Sequence, residues 1–284
     1  MEIIAYPPAG PATVRLGMDL FWSTFLTIGI CLLPLVTLWW LLSLRLEDSS
    51  IVDIFWGSGF VTAAWLYVAL TPGEGLPARR ALLLALVTVW GLRLMLHIAR
   101  RNAGKGEDFR YQQMRQQAGA SWWWVSFFKV FVLQSALMWL ISLPLLAAAL
   151  GTRPLGWLDV LAAALWLLGF YFEAVGDLQL ERFKADPANK GKVLDSGLWS
   201  LTRHPNYFGD AVQWWAFWLL AAAGGLAFGL AAVLSLLSPV VMTWLLRYVS
   251  GVDLLDGALA ARKPGYTAYM KRTPAFIPWP RKSS

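Results

Sequence analysis

The sequence predicts an all-α, polytopic membrane protein with seven transmembrane helices, its N-terminus outside and its C-terminus in the cytoplasm. Three observations predict it. Of 284 residues, 58% are hydrophobic and only 14% charged, well under the charged share of a soluble domain. Seven apolar runs, near 20–44, 51–70, 80–98, 122–150, 155–178, 207–223 and 226–250, approach or exceed the ~20 residues needed to cross the hydrocarbon core. Connecting segments 45–50, 99–121, 179–206 and 247–284 hold 18 of the lysines and arginines, whereas 1–19, 71–80, 151–154 and 224–225 hold 4. By the positive-inside rule the richer set is cytoplasmic.

Each run carries its own signal. The first holds the lone Cys31, so neither a disulfide frame nor a thiolate metal site is available. It is too long, and residues 1–19 too poor in basic residues, for a cleavable signal peptide to be expected. The second opens with Ile51-Val52-Asp53-Ile54-Phe55-Trp56-Gly57, where Asp53 is the only charged residue of the run. Near the end of the third, Arg93 and His97 stand one helical turn apart. The fifth ends with Glu173 and Asp177, again four apart. The sixth has Asp210 at its mouth and is separated from the seventh by Gly224-Gly225, a tight turn; the seventh ends at Arg247. No internal repeat or low-complexity linker is present, so residues 1–284 read as one integral-membrane domain.

The composition also excludes functions. The net charge of +7 belongs to loops beside apolar spans, and the 18 tryptophans lie within or beside those spans as belt residues do, so no nucleic-acid partner is expected. The two histidines, His97 and His204, are far apart in sequence, which rules out a multi-histidine metal centre. No G-x-G-x-x-G follows a strand, so a Rossmann cofactor domain is absent. A transporter would show repeated halves. No obligate protein partner is evident.

The richest stretch is Gly197-Leu198-Trp199-Ser200-Leu201-Thr202-Arg203-His204-Pro205-Asn206-Tyr207-Phe208-Gly209-Asp210. Holding a helix in lipid does not require Arg, His, Asn, Tyr and Asp together, whereas a ligand site at the membrane surface does. In the predicted topology five of seven helices aim ionisable groups at the cytoplasmic layer, which points to a polar cavity open on that side. For any one pair, such as Arg93 with Glu173 or Asp177, interhelical pairing is the alternative. His204 is expected to contact a cofactor. Tyr266 and Tyr269 are spaced three apart on one helical face; their alternative is an interfacial amphipathic segment.

Several blocks together resemble the uncharacterised membrane branch of the steroid 5-alpha-reductase superfamily. They are Val52–Gly57, Trp90-Gly91-Leu92-Arg93-Leu94, Gly106-Glu107-Asp108-Phe109-Arg110-Tyr111, Gly176-Asp177-Leu178-Gln179-Leu180, Gly197-Leu198-Trp199, Arg203–Gly209 and Phe276-Ile277-Pro278-Trp279. The resemblance runs from about residue 50 to 280 and implies a seven-helix fold that uses NADPH to reduce a carbon–carbon double bond conjugated to a carbonyl. It places the cofactor in a cytoplasm-facing cavity of the C-terminal half, with a lipophilic substrate entering from the bilayer among membrane lipids. A multi-pass protein of a bacterial inner membrane is expected.

By motif position Asp177 matches a cofactor-binding aspartate, Asn206 and Asp210 the Asn and acidic residue of an Asn-aromatic-x-Gly-Glu block, and Arg247 and Arg93 arginines of the last and third spans. Lys184, Arg203, His204, Tyr207, Tyr266 and Tyr269 complete the expected cofactor contacts. Arg100, Arg101, Lys105, Lys190 and Lys192 are further cations for phosphates. Asp53 is the expected acid: at an apolar helix start a carboxyl can stay protonated and polarise a carbonyl. The sequence departs from the steroid enzymes in having Asp210 for Glu, and Trp90 as the nearest aromatic where the third helix otherwise carries a Tyr.

A competing resemblance is to membrane methyltransferases that use S-adenosylmethionine, of the isoprenylcysteine and phospholipid types. They share an Arg-His-Pro-x-Tyr block and a Tyr-x-x-Tyr tail and add a Glu-Glu pair before that tail. Here that stretch is Gly251-Val252-Asp253-Leu254-Leu255-Asp256, with two separated aspartates.

Overall fold

A computed structural model describes residues 11–225, 230–249 and 251–280. All regular structure among them is helical. Among the described residues six stretches are long and apolar enough to cross a membrane: Gly17–Leu46, Ile51–Leu70, Pro77–Asn102, Phe109–Ala149, Trp157–Ala185 and Val233–Arg262. The run expected at 207–223 is a helix, α9 (Pro205–Ala223), but its polar Asn206, Asp210 and Gln213 keep it out of that set. The run expected from 226 begins outside the described residues and, from Val233, continues beyond its expected end. The run expected at 122–150 begins earlier, because backbone hydrogen bonding carries the helix into polar sequence where hydropathy has already fallen.

The chain divides into two compact units, one formed by Met1–Leu155 with Ala221–Leu236, the other by Gly156–Leu220 with Leu237–Ser284. In the first, α1 (Pro11–Leu46), α2 (Ile51–Leu70) and α3 (Pro77–Asn102) are followed by α4 (Phe109–Ala118), α5 (Trp122–Ser126), α6 (Leu133–Ile141), α7 (Leu143–Ala149) and, after the break, α10 (Leu230–Ser235). A π-helical turn at Phe127–Val132 joins α5 to α6. The crossing of α2 and α3 explains two of the sequence blocks. A methyl group on Gly57 would lie 2.4 Å from the Gly91 carbonyl oxygen, and one on Gly91 2.5 Å from that of Gly57. Only glycine permits that approach of backbones, and fully buried Phe60 and Trp90 pack beside it with ring centroids 5.7 Å apart.

At the other end of this unit Arg79 is fully buried and acts as a shared cap. Its guanidinium donates to the carbonyls of Arg153 at 2.6 Å, Pro154 and Ala223 at 3.4 Å and Gly151 at 3.5 Å. A cation over carbonyls at helix ends satisfies both the orphan acceptors and the negative end of the dipole.

The second unit holds α8 (Trp157–Ala185), α9 as far as Leu220, α11 (Leu237–Trp244), α12 (Val252–Arg262) and α13 (Tyr266–Arg272). Asp159 caps α8 by accepting the Gly156 amide at 2.8 Å. Helices α8 and α9 meet through glycines: a methyl on Gly209 would sit 2.4 Å from the Gly169 carbonyl oxygen and 2.5 Å from the Glu173 nitrogen. The same Gly209 that the cassette supplies is therefore the contact that brings polar side chains of the two helices into reach.

Candidate functional site

Polar side chains gather in both units. In the second unit the α8–α9 crossing forms a seam of paired side chains. The Asn206 amide donates to Asp177 at 3.0 Å. Two turns further along the same face of α9, the Gln213 amide donates to Glu173 at 2.6 Å. Asp210 lies between them on α9 and is buried, as are Glu173, Asp177 and Gln213. Both amides thus spend an N–H on a carboxylate, which fixes which way each faces. Asn206 Oδ1 and Gln213 Oε1 remain as buried acceptors with no hydrogen-bond partner among the described residues. The seam is rich in acceptors, and a group that completes it must bring N–H or O–H donors or positive charge.

Beside the seam the cassette folds onto a residue that the sequence reading did not select. Buried Asp256 of α12 accepts from Arg203 Nη2 at 2.6 Å, His204 Nε2 at 2.9 Å and the Tyr266 hydroxyl at 2.6 Å. Arg203 also donates to the carbonyls of Thr273 at 2.6 Å and Met270 at 3.1 Å. Burial first, and then the bond to Asp256, push the Tyr266 phenol far above its ordinary range. Tyr269 donates to the Trp199 carbonyl at 2.5 Å, and Tyr207 stacks on His204 with centroids 5.6 Å apart and planes 7° from parallel. Arg203, His204, Tyr207, Tyr266 and Tyr269 are therefore knotted to one another around one carboxylate. A signal for Asp256 was present in the sequence: Arg203 in an apolar setting requires a counter-charge, and Asp256 precedes the two tail tyrosines.

Arg247 sits in a π-helical turn (Leu245–Val249), pairs with Asp253 and lies over the Tyr248 ring at 4.9 Å. Lys184 lies at the end of α8, in a cleft described below. Arg93 belongs to the first unit, half-buried on α3.

Asp53, the expected acid, is in the first unit at the start of α2, and its surroundings differ from those expected. Its Oδ2 is 2.8 Å from Arg110 Nη2, and its Oδ1 accepts the Tyr111 hydroxyl at 2.7 Å. Gln134 in turn donates to the Tyr111 oxygen at 3.0 Å. The lone carboxyl at an apolar helix start is instead one half of an ion pair, because α4 brings in Arg110 from 57 residues away. Next to it Arg115 grips both oxygens of Glu107 at 2.8 Å, and Glu107 accepts the Ser49 amide at 2.8 Å. Burial pushes the Glu107 carboxyl up, but the bonds from Arg115 and Ser49 outweigh it and hold the group below its usual range. The Gly106–Tyr111 block thus clasps the α1–α2 turn.

A family model described as "Protein of unknown function (DUF1295)" matches residues 39–273. An uncharacterized protein of Schizosaccharomyces pombe is 26% identical over 268 residues, covering 84% of this chain and 75% of its own. The probable O-methyltransferase ustE of Ustilaginoidea virens is 39% identical over 66 residues, 23% of this chain and 22% of that protein. No solved structure matches.

Proposed function

The chain belongs to the DUF1295 family, within the steroid 5-alpha-reductase-like superfamily, and from that premise we propose that it is a membrane-embedded, NADPH-dependent reductase. The reaction is reduction of a carbon–carbon double bond conjugated to a carbonyl in a lipophilic, steroid- or isoprenoid-like substrate. The observation that carries the reading is Asn206. Its N–H is committed to Asp177 and its buried Oδ1 is left over, so it offers an acceptor to a ligand amide or hydroxyl. The donor-bearing end of a nicotinamide nucleotide fits that demand, and Asp177, Asn206 and Asp210 are the residues that would hold it. When bound, the cofactor supplies the hydride. The seam contributes orientation: acceptors fixed in advance lose no freedom when the ligand arrives. Arg203, His204 and Tyr266 act one layer back, fixing the loop from which Asn206 enters α9. The excess of loop cations supports a cytoplasmic cofactor side and seven spans.

A second reading is supported by one observation of its own. Asp256 occupies the acidic position before the Tyr-x-x-Tyr tail and binds Arg203 and His204, and the ustE similarity points the same way. On that reading the seam takes the amino and sulfonium groups of S-adenosylmethionine.

One experiment separates them. A ligand that binds only the folded state raises its stability with concentration. Purified protein in detergent is expected to melt higher with NADPH, and Asn206→Ala to lose that shift while remaining folded. A shift with S-adenosylmethionine and none with NADPH transfers the assignment to the methyltransferase; equal NADPH shifts in wild type and variant remove Asn206 from the site.

A further inference from the structure

The end of α8 carries a cleft that the proposed reaction does not use. It has a volume of about 250 Å³ and is lined by Phe183, Lys184, Asp186, Asn189, Lys190 and Lys263, among others. Its one acidic group is already engaged: Asp186 accepts the Ala188 amide at 2.9 Å and the Asn189 side-chain amide at 3.3 Å. Those bonds fold the loop, and Asn189 also donates to the Phe183 carbonyl at 3.2 Å. Lys263 closes one wall by donating to the Lys192 carbonyl at 2.7 Å. The result is a recess lined by three lysines, with Phe183 as its apolar wall.

Its depth in the membrane follows from helix length. The 29 residues of α8 span about 43 Å at 1.5 Å per residue, whereas the hydrocarbon core takes up about 30 Å. The last turns, from Glu181 to Lys184, therefore stand at headgroup level. We propose that this cleft binds a phosphate group, and that its position makes the occupant the headgroup of an anionic phospholipid. Lysines facing such a headgroup bind it as point charges with several donors each, and Phe183 is placed to meet the glycerol portion. The inference does not rest on the reductase reading. It assigns to lipid the Lys184 that the sequence suggested for a soluble cofactor.

The test is binding of short-chain phosphatidylglycerol, phosphatidylcholine, inorganic phosphate and NADPH to the full-length protein in detergent, read by native mass spectrometry and thermal shift. The cleft variant is Lys190→Gln with Lys263→Gln, which removes two charges but keeps a donor at 263. The control is Arg45→Gln with Lys271→Gln, two exposed cations outside the cleft. Phosphatidylglycerol is expected to bind in preference to phosphatidylcholine, and the cleft variant to bind it about 25-fold more weakly, at roughly fivefold per charge, with the control unchanged and circular dichroism preserved. Equal loss in both variants, or no preference between the lipids, overturns the proposal. Stabilisation by inorganic phosphate or NADPH that the cleft variant alone loses overturns the lipid source and assigns the cleft to soluble phosphate.

Discussion

Replacing Asp256 by alanine tests the knot at its centre. Side chains of Arg203 and Asp256 are 8% and 7% exposed, so the guanidinium cannot recover hydration when its partner leaves. Two of its bonds, to the Thr273 and Met270 carbonyls, survive, but Asp256 is its one ion-pair partner among the described residues, and Tyr266 and His204 each lose an acceptor. Removing one member of a buried ion pair costs about 3–5 kcal/mol, a rise of about 10²–10⁴-fold in the unfolding constant. Unfolding in mixed detergent–dodecyl sulfate micelles, followed by tryptophan fluorescence, measures it. Arg203→Met combined with Asp256→Ala removes the uncompensated charge, so the double variant is expected to be less destabilised than the sum of the singles, by about 1–3 kcal/mol. An Asp256→Ala protein within about 1 kcal/mol of wild type, or strict additivity, would falsify the claim that Asp256 organises the cassette.

Three further outcomes are expected. Gly209→Val places side-chain atoms against the Gly169 and Glu173 backbones, which cannot yield; it should lower the melting point and abolish any NADPH shift, whereas Gly257→Ala, with nothing within 4 Å of its added methyl, should do neither. Arg79→Met strips a donor set from four carbonyls and is expected to cost about 2–4 kcal/mol in the same unfolding assay, since buried acceptors are left unpaired. Because Glu107 is held below its usual value of 4.5, its contribution is complete above that pH and is lost as pH falls through the folded-state value; wild type should lose stability below about pH 4.5 more steeply than Glu107→Gln, and parallel curves refute the assignment.

The helical class and the positions of most spans were legible in the sequence because they depend on local apolar length. Glycines 57, 91 and 209 stood in the recognised blocks, yet their role as crossing points became visible only with the neighbouring backbone in place. Asp53 shows the limit from the other side. Hydropathy reports the residues next to it in the chain and predicts a lone acid, while its real neighbours, Arg110 and Tyr111, arrive from α4. Asp256 escaped for a related reason, since its partners lie up to 53 residues away. Gln213 was readable in principle: it falls seven residues after Asn206 and three after Asp210, a polar stripe on one helical face inside an apolar run.

The pairing of α8 with α9 also sets a schedule for biogenesis. Ionisable groups inside a span raise its insertion cost most at the centre and less toward the ends, and α8 enters with Glu173 and Asp177 in its C-terminal half. Their amide partners on α9 are encoded 40 and 29 residues later, which at about 5–20 residues per second is roughly 1.5–8 s of further synthesis. During that interval α8 lacks the α9 amides that its two carboxylates accept in the folded protein. Nascent chains long enough to expose α8 but not α9 outside the ribosome are expected to crosslink α8 to the insertion machinery, and chains that also expose α9 to release it; Asn206→Leu with Gln213→Leu should prolong the contact.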